Sequence, residues 1–141
     1  MRIPSRFLLA LVLFAPLSLP RAKEFPEVYS DDFSKGKDNW TATDEKAWKV
    51  SELGENKVLE NLGGSKYKPP HRSPYNIILL DDVTVGDFEL TVRVQTTKEP
   101  YGHRDMCLFF GYQDPSNFYY IHLGQKTDAH ANQIFLVKEE A

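Results

Sequence analysis

The chain has 141 residues, 26% of them charged and 41% hydrophobic, with 17 Lys and Arg against 20 Asp and Glu and a net charge of −3. That balance lacks the overall positive charge that neutralising phosphates demands, so no nucleic-acid partner is expected. The single cysteine, Cys107, excludes an internal disulfide and leaves packing or a metal to hold the fold.

The chain opens with Arg2 and Arg6 ahead of an apolar run from Phe7 to Leu19, followed by Pro20 and Ala22. This is the layout of a secretory signal peptide over residues 1–22, and the run is too short for a transmembrane helix. Its removal takes away three arginines and no acid, which moves the net charge from −3 to −6. Residues 23–141 are expected to form one exported domain, secreted or periplasmic, with no transmembrane segment.

Short runs with strand character then follow in order: Val28 to Phe33, Ala47 to Ser51, Lys57 to Asn61 and Asn76 to Leu80. Between the last two, GGSKYKPPHRSP from Gly63 to Pro74 is too rich in Gly and Pro for regular structure and reads as a surface loop. In GDFELTVRVQT, Phe88, Leu90, Val92 and Val94 alternate with Glu89, Thr91, Arg93 and Gln95, the pattern of a strand with one buried face. Met106 to Tyr112 and Asn117 to Leu123 flank the turn formers QDPS and predict a hairpin, and Gln133 to Lys138 is a further strand. Many short strands separated by turns predict an all-β sandwich of antiparallel sheets. The chain stops at KEEA with no closing strand, so it reads as the N-terminal portion of such a domain, incomplete at its C-terminus.

The stretch FYYIHLG from Phe118 to Gly124 bears most directly on function. Successive side chains on a strand point to opposite faces, so Phe118, Tyr120 and His122 share one face and Tyr119, Ile121 and Leu123 the other. If the second set forms the core, the first presents two aromatic rings and an imidazole to solvent. That suits a carbohydrate, whose apolar C–H face packs on rings while its hydroxyls meet polar groups. Glu89 and Arg93 would join this groove if their strand shares the sheet. The opposite assignment, with Phe118 and Tyr120 packed against a second sheet, stays open.

Other chemistry is weaker. Cys107 within MCLFFGY reads as a small buried hydrophobe. His103 with Asp105, and Asp128 with His130, are pairs without a third ligand. Asp31 and Asp32 ahead of a Gly-bearing loop are candidates for a structural calcium, against the plainer reading of a turn or cap. No pair of carboxylates is spaced for ordinary glycoside hydrolysis, and no nucleophile elbow or phosphate loop is present. Asn39-Trp40-Thr41 matches a glycosylation acceptor, while Trp40 and Trp48 read as anchors of the first corner.

Taken together, SDDFSKGKDNWTA, AWKVSELGENKVLENLGG and VGDFELTVRVQ give Asp-Phe, a Trp shortly after, Trp-x-Val, a Gly-bearing turn and Gly-Asp-Phe-x-Leu, in that order. This pattern, from about Tyr29 to Val94, resembles concanavalin A-like jelly-roll domains, in particular the secreted 3-keto-disaccharide hydrolase domain family and its laminin-G-like relatives. The resemblance implies a two-sheet jelly roll with a concave carbohydrate-binding face and sometimes a structural calcium. It departs from the family at FYYIHLG, where His122 stands and the expected acid is absent. The expected function is therefore carbohydrate recognition by Phe118, Tyr120, His122, Arg93 and Glu89. A hydrolase acting on 3-keto-glycosides, with His122 or Glu89 as the base, is the alternative. A structural envelope or matrix domain is a third.

Overall fold

The computed structural model describes residues 24–99, 101 and 106–139; the expected signal peptide and the His103–Asp105 pair lie outside them. Among the described residues the chain is all-β, with one 3-10 turn and seven strands in three antiparallel sheets. The strands are β1 (Trp40–Ala42), β2 (Trp48–Leu53), β3 (Asn56–Asn61), β4 (Ile78–Leu80), β5 (Met106–Asp114), β6 (Asn117–Leu123) and β7 (Gln133–Lys138). β1 pairs with β4, β2 with β3, and β5-β6-β7 form the third sheet. No helix among the described residues is long and apolar enough to cross a membrane.

Turn chemistry explains the two tight hairpins. Gly54 supplies the positive φ of 63° between β2 and β3, where Leu53 faces Asn56 across a two-residue turn. Pro115 and Ser116 link β5 to β6, and the Asp114 carboxylate accepts the Ser116 N–H at 2.7 Å and also the Asn117 amide. The Gly63–Pro74 segment has no regular structure, as its composition predicts. It is nonetheless tied down: the Lys66 N–H donates to Asp44 at 2.8 Å and Tyr67 packs against the core.

The core sits between layers. Ile77, at the entrance to β4, is 0% exposed and packs with Phe118 of β6 and Val137 of β7. Leu79, Phe109, Tyr112 and Tyr120 surround them. One face of the three-stranded sheet is thereby covered by the β4 region and the loop before it. The other carries Tyr119, Leu123, Ile134 and Leu136, all exposed.

Two expected strands are not formed. Val28–Phe33 is broken by its own acids, because Asp31 accepts the Phe33 N–H at 2.7 Å, Asp32 accepts the Ser34 N–H at 2.9 Å, and Phe33 takes a φ of 58°. The Phe88–Gln95 run has the cleanest alternation in the chain, yet it has no ladder partner among the described residues and both of its faces are exposed. Alternation records fitness for a half-buried pleated surface, whereas a strand exists only where a neighbour takes its backbone hydrogen bonds.

Candidate functional site

The site is built on β6, whose register against both neighbours fixes which side chains meet. Phe118, Tyr120 and His122 do share a face, but it is the covered one. Phe118 is 1% exposed, so it has no ring face left for a sugar and is a core residue rather than a ligand contact. Tyr119 and Leu123, expected in the core, are exposed, and Ile121 is half-buried. Of the two assignments the sequence leaves open, the structure takes the one with Phe118 and Tyr120 on the packed face, because the β4 region supplies apolar partners on the Phe118 side.

Towards the far end of that face burial relaxes. Tyr120 and His122 are half-buried and continue the row from Phe118. Tyr120 stands opposite Phe135 of β7, with ring centroids 5.1 Å apart and planes 17° apart. Phe109 lies 6.0 Å away on the other side. The His122 ring is 6.4 Å from Tyr120 and 6.0 Å from Phe135, and His122 faces Cys107 across the β5–β6 register. Cys107 is half-buried, in a more open setting than a core position.

The loop contributes from above. Burial pushes the Tyr120 phenol up, as does the neighbouring Cys107, while the Arg72 guanidinium pulls it down. Tyr112, stacked on Phe118 at 5.2 Å, is likewise raised by burial and by Tyr67 and Asp114. Both phenols stay protonated at neutral pH and can donate as well as accept. In the loop after Tyr67, Lys68, His71, Arg72, Ser73 and Tyr75 line a shallow cavity of about 390 Å³, shaped by Pro69 and Pro70.

Glu89 and Arg93 are not brought to this site. Their segment lies over the opposite face, where Phe88 meets Phe110 at 6.5 Å and, with Leu90, lines a groove against Leu108 and Ile121. Both side chains are exposed. Asp31 is occupied locally: its carboxylate accepts the Tyr29 hydroxyl at 2.7 Å, the Trp40 indole N–H at 2.9 Å and the Phe33 amide. With Asp32 capping Ser34, these acids form the turn rather than an open calcium cradle, and no cluster of three His, Cys, Asp or Glu suited to a metal occurs among the described residues. Asp128 likewise accepts the His130 N–H at 2.6 Å and closes a local turn.

Phe135, Phe109, Tyr112 and Arg72 were not singled out from sequence. Phe135 becomes visible only once the β6–β7 register is known. The basic loop could have been noticed, because no acid occurs between Gly63 and Leu80. No family model, curated protein or solved structure matches the chain.

Proposed function

We propose that this is an exported jelly-roll domain of the concanavalin A-like type that recognises carbohydrate at the Tyr120–His122 end of its three-stranded sheet. The observation that carries the reading is the gradient along one strand face: Phe118 is sealed in the core, while Tyr120 and His122 continue the same row only partly buried beside the stacked Phe135. A flat aromatic surface with a phenol and an imidazole beside it matches a sugar ring, apolar on its faces and hydroxylated at its rim. The signal-like N-terminus and the order of motifs from Tyr29 to Val94 support an extracytoplasmic jelly roll.

Hydrolysis of 3-keto-glycosides is less favoured. It would rest on His122 as the base, because Glu89 belongs to a segment on the other side of the sheet.

The test is binding of soluble glycans to the purified protein and to Tyr120→Ala, with circular dichroism to verify folding. Loss of binding in a folded Tyr120→Ala protein is the expected result. Undiminished binding by that variant would sink the assignment.

A further inference from the structure

The loop that borders this aromatic row has a charge opposite to that of the chain. From Gly63 to Leu80 the sequence contains Lys66, Lys68, His71 and Arg72 and no acid, within a protein of net charge −3. Several lysines elsewhere have carboxylate partners: Lys37 pairs with Glu45, Lys49 with Glu60 and Lys57 with Glu52. Lys68 and Arg72 have none among the described residues. Uncompensated cations around a cavity raise the local concentration of anions.

The cavity they line is shallow and open, about 390 Å³ in volume, and so accessible to a charged group carried on a larger chain. Pro69 and Pro70 fix the backbone at its centre, and the loop is anchored at its start by the Lys66–Asp44 bond and by Tyr67 on the core. Little conformational entropy is then lost on binding. Arg72, exposed at the rim, can take two anionic oxygens side by side.

We infer that the Lys68–Tyr75 turn binds the anionic group of an acidic glycan, a carboxylate or a sulfate, while the sugar ring packs against Tyr120. This rests on the carbohydrate reading and names its substrate class. The turn is placed near the ring by its two ends, since Tyr67 before it and Ile77 after it belong to the same packed cluster as Tyr120. The aromatic row supplies contact with any sugar; the turn supplies selection for charge.

The experiment measures affinity for polygalacturonate, dextran sulfate and neutral dextran at low and moderate salt. The proteins are the parent, the exposed double variant Lys68→Gln/Arg72→Gln, Tyr120→Ala, and Lys35→Gln as a remote exposed control. At least one charged polymer is expected to bind more tightly than dextran and to weaken with salt. The double variant should bind it about tenfold more weakly, as loss of charge-assisted contacts implies, with Lys35→Gln unchanged. Which polymer responds identifies the group as carboxylate or sulfate. Equal affinity for dextran with no effect of the double variant, or equal weakening by Lys35→Gln, overturns the inference and leaves carbohydrate recognition standing if Tyr120→Ala still abolishes binding. Failure of all three polymers to bind overturns both.

Discussion

Tyr120 and Phe135 are direct cross-strand partners, and their rings stack at 5.1 Å with 17° between planes. The pair forms the floor of the candidate site and also joins β7 to the sheet. Stacked aromatic pairs contribute about 1 kcal/mol beyond the area they bury. A double-mutant cycle of Tyr120→Ala and Phe135→Ala, read by urea unfolding, is expected to give a coupling energy of about 1 kcal/mol. Additive effects would mean that the rings act independently.

Phe118 and Tyr119 test the assignment of faces. Phe118 is 1% exposed and Tyr119 is 42% exposed, although they are adjacent in the chain. Phe118→Ala is expected to destabilise by about 3–5 kcal/mol, the range for emptying a buried aromatic site. Tyr119→Ala loses its stacking on Phe110, 5.4 Å away, from a far more exposed position and should cost less, about 1–2 kcal/mol. Chemical denaturation of the two variants decides, and a reversed order would reverse the faces.

Gly111 marks the irregularity in β5 between Phe110 and Asp114. Its φ is 58°, and a Cβ placed there would lie 3.3 Å from the Tyr119 ring. Gly111→Ala should therefore cost at least about 1 kcal/mol in left-handed backbone strain. Thermal unfolding of the variant checks this. No loss would show that the bulge relaxes.

Acid should unfold the protein through its hydrogen-bonded carboxylates. Asp44 is held below the ordinary carboxylate range by the Lys66 N–H first and the Lys46 N–H second, and Glu45 is lowered by Lys37 and by the Ala42 N–H. For Asp31, burial pushes upward, but bonds from Trp40, Tyr29 and Phe33 outweigh it and the net shift is down. Groups depressed in the folded state contribute stability that is fully present above their unfolded values near pH ~4 and is lost as pH falls through the lower folded values. Stability followed by tryptophan fluorescence should accordingly be flat towards neutrality and fall below about pH 4. Asp44→Asn should make that fall shallower. An unchanged slope would show that the loop anchor does not couple to folding.

How much of this was legible in the sequence differs by element. Asn117–Leu123 and Gln133–Lys138 form over the residues that their apolar runs mark, and the turn at Asp114–Asn117 follows from Pro115 and the Asp114 cap. The Gly63–Pro74 loop followed from composition. β1 was missed because its three residues, Trp40–Ala42, are too few to display a period. Trp40 was nonetheless identified as a corner anchor, and it holds Tyr29, Phe33 and Asp31.

What the sequence determined by itself is local: where the chain can extend, where it must turn, and which residues of a strand share a side. Period-two alternation fixes that Phe118, Tyr120 and His122 lie together. It does not say which of the two sides is covered, since that depends on where Ile77 and Tyr67 arrive from distant parts of the chain. The same limit explains Phe88–Gln95, whose pattern suits a strand but whose backbone has no neighbour among the described residues. Only the tertiary structure buried Phe118, carried Glu89 and Arg93 to another face, and brought Tyr67 onto the cluster that includes Tyr120. The physical reason is that burial and pairing are properties of contacts between segments, and sequence spacing encodes only the geometry within one.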